Sequence, residues 1–160
     1  MKYLGVVLHK TGRVDSEISS KIGIAKADFR DLVQIWKHAN ISRKRKIQLY
    51  SSLILSKLLY GLQTVWLTKA LQKRVNAFHY GCLRQILGIA HPYISRMSNM
   101  QVLQQAQEQP LSNRLLQQQL LFYGRMRRNA VHPGASLMDN SDMHRRRGRP
   151  RLSWVSEVSR

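Results

Sequence analysis

The run from Ile47 to Leu67 constrains the fold more than any other stretch, because it is the most apolar segment of the chain. Ile47, Tyr50, Leu53, Ile54, Leu58 and Leu62 recur three or four residues apart, the repeat of a helix face. Leu55, Leu59 and Trp66 widen that stripe, and a helix apolar on most sides is buried between others. The run predicts the central helix of a small helical domain, with Ser42 as N-cap and Gly61 near its end. Lys57 is the odd charge within it. A lysine in such a stripe usually snorkels to the surface; the alternative is that it points into a nucleic-acid groove.

The flanking segments extend the helical pattern. Asp15 is the expected N-cap of a first helix, with Glu17 in its first turn and Ile18, Ile22, Ala25, Phe29, Leu32, Val33 and Trp36 along one face. Thr68 caps a third helix whose stripe is Leu71, Val75, Phe78, Cys82, Leu83, Ile86 and Leu87, and Gly88 stops it. Ser98 or Asn99 opens a short helix, and Pro110 suits the first turn of a last one carrying Leu111, Leu115, Leu116, Leu120, Tyr123 and Met126. Before all of these, Tyr3 to His9 reads as a short strand followed by a turn at Lys10-Thr11-Gly12. A lone strand needs a pairing partner, either Arg13-Val14 or a sheet outside this chain. The predicted architecture is mainly α: a small bundle of about four to five helices, with a short N-terminal strand or hairpin and an extended basic C-terminal tail. The expected divisions are a strand and turn over 1–14, a helical domain over 15–128, and a basic linker and tail over 129–160 with a short terminal helix at Leu152, Trp154 and Val155 or Val158.

Charge is the second constraint. The chain carries 27 Lys and Arg against 8 Asp and Glu, a formal net of +19, and no acid stands between Asp31 and Glu108. A solvated helix face normally mixes signs, so a long single-sign stretch across helices points to a polyanionic partner. Nucleic acid comes first and an anionic membrane surface second. Four cations, Arg43 to Lys46, open the central helix, where the macrodipole disfavours them unless something negative lies near. Arg145 to Arg151 form a basic patch, and Arg147-Gly148-Arg149-Pro150 looks like the core of an AT-hook, whose arginines enter a narrow minor groove. A non-specific phosphate-binding tail is the preferred account of so short a patch.

Other chemistries find little in these residues. His79 and Cys82 lie three apart on a helix, but a structural zinc site wants about four ligands, and Cys82 falls in the apolar stripe. No Gly-rich phosphate loop, paired carboxylates or nucleophile with an orienting base is evident. The expected protein is non-catalytic, needs no cofactor or metal, and has no transmembrane segment. Its single cysteine and the absence of a signal sequence suit an intracellular, non-secreted protein.

Together these residues resemble the region just after the palm in non-LTR (LINE-type) retrotransposon reverse transcriptases. The resemblance starts at Tyr3-Leu4-Gly5, continues through Phe29-Arg30-Asp31-Leu32 and is strongest at Leu58-Leu59-Tyr60-Gly61 with Thr64, Trp66, Leu67 and Thr68. It goes on through Asn76-Ala77-Phe78-His79, Cys82-Leu83-Arg84, Ile86-Leu87-Gly88-Ile89, Pro110-Leu111 and Gly148-Arg149-Pro150 with Trp154. The resemblance implies a primer-grip-like strand, thumb-like helices that hold a nucleic-acid duplex, and a nucleic-acid-binding tail. The chain departs from the family in lacking the palm's catalytic aspartates, the fingers, the endonuclease and the cysteine-and-histidine knuckle. Met1 also stands where an aromatic residue usually precedes the strand. The resemblance therefore implies a truncated or domesticated fragment that cannot polymerise alone, since phosphoryl transfer needs metal-binding carboxylates.

The expected function is a basic RNA- or DNA-binding domain. Its phosphate contacts would be Arg43, Lys44, Arg45, Lys46, Lys57, Lys69, Lys73, Arg74 and Arg84, with Arg145, Arg146, Arg147, Arg149 and Arg151 anchoring the tail. Trp66 and Tyr60 are expected in the core, with stacking on a base or ribose the alternative. The rivals are a structural subunit of a large ribonucleoprotein such as a ribosome, a protein or membrane assembly that recruited a relic sequence, and one piece of a split enzyme. The retroelement resemblance implies nucleus or cytoplasm; an assembly subunit could also reside in an organelle.

Overall fold

The computed structural model describes residues 2–3, 6–7 and 14–128. Most of the Tyr3–His9 run, the turn after it, and the whole tail from 129, including the five tail arginines and the Trp154 segment, lie outside the described residues. Two dipeptides at the start, β1 (Lys2–Tyr3) and β2 (Val6–Val7), pair antiparallel with Lys2 opposite Val7.

The described residues are mainly helical. The first helix, α1 (Asp15–His38), buries Ile18, Ile22, Ala25, Phe29 and Trp36, five of the expected stripe, while Leu32 and Val33 are half-buried. Asp15 is its first helical residue rather than its cap: Val14 occupies the cap position and offers no side-chain acceptor. Asp15 and Glu17 instead place negative charge in the first turn, where the exposed N–H groups favour it.

The apolar run folds as a helix over 43–59 in three parts: α2 (Arg43–Leu49), a wide π-helical turn (Tyr50–Leu55) and α3 (Ser56–Leu59). Ser42 caps it, accepting from the Arg45 N–H. The hydroxyl of Ser52 donates back to the Leu49 carbonyl at 3.2 Å, and Ser56 donates to that of Ser52. Such back-bonding competes for the helical acceptors and favours the departure from α geometry. The helix ends at Leu59, beside the Gly61 stop that the sequence predicts. Gly61 takes a left-handed conformation with φ 77°, and a single 3-10 turn (Leu62–Thr64) then delivers Leu62 to the core. Leu53, expected inside, is 46% exposed, and so is Tyr60 at 61%.

Thr68 and Gly88 bracket α4 (Lys69–Leu87) as their chemistry predicts. Thr68 accepts from the Leu71 N–H, and Gly88, with φ 71°, lets the amides of Gly88 and Ile89 close on the carbonyls of Gln85 and Arg84. After a short turn of helix, α5 (Pro92–Ser95), Ser98 and Gln101 form a reciprocal capping box at the start of α6 (Asn99–Ala106). The last helix, α7 (Leu111–Arg128), begins just after Pro110, whose carbonyl accepts from Asn113 and Arg114.

The hub is α4, rather than the 43–59 helix that the apolar run predicts: it packs against α1, α2, α6 and α7. Polar pins fix the outer elements. Asn76 and Ser112 bond reciprocally at 3.0 and 2.9 Å, joining α4 to α7, and Gln119 donates to the Val65 carbonyl at 2.8 Å. At the centre, the Tyr50 hydroxyl of the wide turn and His79 Nδ1 of α4 share a hydrogen bond at 3.0 Å with their rings stacked, while Phe29 of α1 meets Tyr50 edge-on. Burial lowers the His79 pKa to about 4 and pushes the Cys82 thiol up to about 12. Among the described residues no group of three or more side chains is arranged to hold a metal ion.

Neutral His79 is the form the folded state holds. Between the ordinary value of 6.5 and about 4, the unfolded chain takes up the proton and the folded chain does not. Stability contributed by this site is therefore complete above pH 6.5 and is lost as pH falls toward 4, by up to about 3 kcal/mol. Thermal melts from pH 7.5 to 4 should show this decline, and His79→Gln should flatten it. Tyr50→Phe, which removes the donor to Nδ1, should lower stability by about 1–2 kcal/mol at pH 7.5.

Candidate nucleic-acid interface

Helix α1 separates its charges. At 3.6 residues per turn, Lys26, Arg30 and Lys37 fall within about 40° of arc, and Glu17, Asp28 and Asp31 within about 60° on the opposite side of the buried stripe. Two of the three acids on that side are paired. Lys21 lies 3.6 Å from Glu17, and Lys57 lies 2.8 Å from Asp28. The Lys57–Asp28 pair is solvent-exposed and contributes under about 1 kcal/mol, the Glu17–Lys21 pair is largely buried, and the two neutralise Glu17 and Asp28 and leave the other edge positive. Asp15, at the helix start, is the acid on the cationic side.

That edge borders an open groove of about 520 Å³ between α1 and α4. Gly23, Lys26 and Arg30 line it from α1, and Ala77, Phe78 and Gly81 from α4. At one end, Arg74 of α4 reaches across to the Ser19 hydroxyl at 3.0 Å. At the other, Lys37 and Lys46 line a smaller hollow of about 120 Å³ that shares Gln85 with the groove. Lys46 lies 5.8 Å from the centre of the Trp36 ring, a cation–π contact that holds its ammonium beside Lys37. The result is a track of cations, Arg74, Lys26, Arg30, Lys37 and Lys46, along a floor where Gly23, Ala77 and Gly81 alternate with Phe29 and Phe78. Glycine inside a helix costs about 1 kcal/mol relative to alanine, yet Gly23 and Gly81 both sit there with no atom within 4 Å of a Cβ built on them. Packing therefore does not require them to be glycine, and their effect is to keep the groove open.

The remaining cations expected from the sequence disperse. Arg43, Lys44 and Arg45 are exposed on the first turn of α2, and Lys69 and Lys73 are exposed on α4. Lys57 is exposed on the opposite side, occupied by Asp28, so it snorkels rather than entering a groove. Arg84 departs most from expectation, being only 6% exposed. Its guanidinium donates to the carbonyls of Met97 at 2.7 Å and Ala90 at 3.4 Å, and to Asn99 Oδ1 at 3.2 Å and Ser95 Oγ at 3.4 Å. Arg84 folds the 90–99 segment against α4 and presents no charge to a ligand. Trp66 is half-buried, and Tyr60 lies exposed beneath Lys21, which donates to its carbonyl.

Lys26, Arg30 and Lys37 were not among the expected contacts. Their spacing of four and seven residues is readable in the sequence. What hid them is that they lie around Asp28 and Asp31 in linear order, so local net charge there is small, and only the helix separates the signs.

No protein-family model, curated protein or solved structure matches the chain. No described helix is long and apolar enough to cross a membrane.

Replacing Arg84 with Met should loosen the 90–99 segment, seen as faster proteolysis there, while the affinity for nucleic acid changes less than two-fold. Arg84→Lys should rescue little, because an ammonium cannot reproduce the planar fork that holds several acceptors.

Proposed function

We propose that this chain is a non-catalytic nucleic-acid-binding domain that holds a phosphate backbone along the α1–α4 groove. The observation that carries this is the sorting of charge on α1, which leaves Lys26 and Arg30 on the groove edge, with Arg74 at one end of it and Lys37 in the adjoining hollow at the other. A strand of phosphates is the ligand that a linear row of cations complements, and neutralising it releases counterions. The overall formal charge of +19 supports the same class of partner. The resemblance of the sequence to the thumb of LINE-type reverse transcriptases supports it independently. Arg43, Lys44, Lys69 and Lys73 would add outer contacts, and the tail arginines a second anchor.

A second reading, a structural subunit of a large ribonucleoprotein, is favoured by Tyr93, Ile94 and Met100, which are 90, 74 and 68% exposed beside the exposed Arg96. These leave apolar surface that a neighbouring component would cover. Co-sedimentation with RNA-containing particles separates this reading from a free binding domain.

Binding of the full chain to a labelled single strand should weaken steeply with salt, and Lys26→Ala with Arg30→Ala should make the slope of log K against log salt shallower by roughly 1.4. A slope unchanged by that double substitution would remove the groove from the interface. Gly81→Ala should raise the melting temperature with little effect on binding, whereas Gly81→Glu should keep the fold and lower affinity at least ten-fold.

A further inference from the structure

Beyond the phosphate track, the N-terminal turn of α2 crosses the end of α4 and opens on its other side into a second groove, of about 310 Å³, against α6. Its chemistry differs from the first. Arg43 and Lys44 border it from α2 along with Gln48, and Gln105, Gln107 and Glu108 face them from α6 and the loop after it. A phosphate site is made of donors. Here three carboxamides, each both donor and acceptor, stand beside a carboxyl group that repels phosphate. Gln48 accepts from Arg45 at 3.2 Å, whereas Gln105 and Gln107 make no side-chain hydrogen bond among the described residues. Gln107 is held in the left-handed region with φ 55° as the cap of α6, so the loop that presents it has a defined shape.

Alternating donors and acceptors complement the edges of nucleobases. A glutamine pairs with two adjacent atoms of adenine, and a carboxylate accepts from the amino group of cytosine. The groove lies next to the end of the phosphate track, since Lys46 lines the last hollow of the track and Ile47 the second groove. Unpaired bases present all their edges, whereas a duplex commits its pairing edges to the other strand.

We propose that the α2–α6 groove is a base-contacting site for single-stranded nucleic acid, reading unpaired bases with Gln48, Gln105, Gln107 and Glu108 while Arg43 and Lys44 hold the adjoining phosphates. This rests on the phosphate-binding role of the α1–α4 groove and adds a preference for strands over duplexes.

The test uses the full chain and fluorescence anisotropy with three probes: a mixed-sequence single-stranded RNA of about twelve nucleotides, an RNA duplex of the same sequence, and labelled inorganic polyphosphate. Gln48→Ala with Gln105→Ala removes two amides from exposed residues, and a thermal melt checks that the fold is kept. The expected result is a roughly ten-fold loss for the single strand, unchanged binding to duplex and polyphosphate, and an unchanged salt slope, because amides release no counterions. Lys26→Ala with Arg30→Ala should weaken all three probes. If that pair weakens all three while the amide variant matches the parent on the single strand, the base-contacting site is overturned and the phosphate track stands. A parent chain that prefers the duplex, or an amide variant that loses duplex and single strand equally, overturns it as well. A parent chain that binds none of the probes overturns both roles.

Discussion

The hydrogen bond from Tyr50 to His79 lies where three parts of the molecule meet: α1 through Phe29, the wide turn through Tyr50, and α4 through His79. A neutral imidazole buried at this point needs a donor for one ring nitrogen, and the phenol is placed to supply it. His79 Nε2 lies toward the backbone of Gln109 outside good hydrogen-bond geometry, so the Tyr50 contact carries most of the local polar satisfaction. Buried polar pairs hold their partners in one relative position more strictly than apolar contacts do. Since the α1–α4 groove is the space between two of the elements joined here, its shape depends on this contact.

Charge is the opposing pressure. A chain with a net of +19 repels itself in its compact state. The fold limits this in three ways. Glu17 and Asp28 are paired with lysines on the far side of α1. Arg84 is buried among carbonyls and amide and hydroxyl oxygens, so its charge serves as a clamp for the 90–99 segment. Lys46 is drawn over the Trp36 ring. Part of what these arrangements leave uncompensated lies along the two grooves, at Lys26 and Arg30 in one and Arg43 and Lys44 in the other.

Arg84 also illustrates how composition misleads about role. By charge alone it belongs with Lys73 and Arg74 on the same helix. Its position near the C-terminal end of α4 puts it instead beside a loop whose carbonyls have no helical donors, and a guanidinium with five N–H groups is the side chain best suited to gather them. The same residue type can serve as an internal clamp or as a surface charge, and burial decides which use applies.

Much of the fold is legible in the sequence. The caps Ser42, Thr68, Gly88 and Ser98 act through local hydrogen bonds and φ preferences, and the stripes of α1 and α4 follow from helical periodicity, so the mainly helical architecture needs no long-range information. The stop after Leu59 is legible too, through Gly61; the wide turn at Tyr50 and the outward placement of Leu53 and Tyr60 depend on serine back-bonding and on what α1 and α7 bring alongside, which periodicity does not encode. The candidate site divides the same way. The excess of cations and the acid-free stretch from Asp31 to Glu108 are properties of composition and order. Which cations lie together is a property of helix packing: it brings Arg74 beside Ser19, sets Lys26 and Arg30 along one groove with Lys37 in the adjoining hollow, turns Lys57 to Asp28 and buries Arg84. The sequence determined the amount and sign of the charge; only the tertiary structure decided where that charge is free, because neutralisation and burial depend on neighbours distant along the chain.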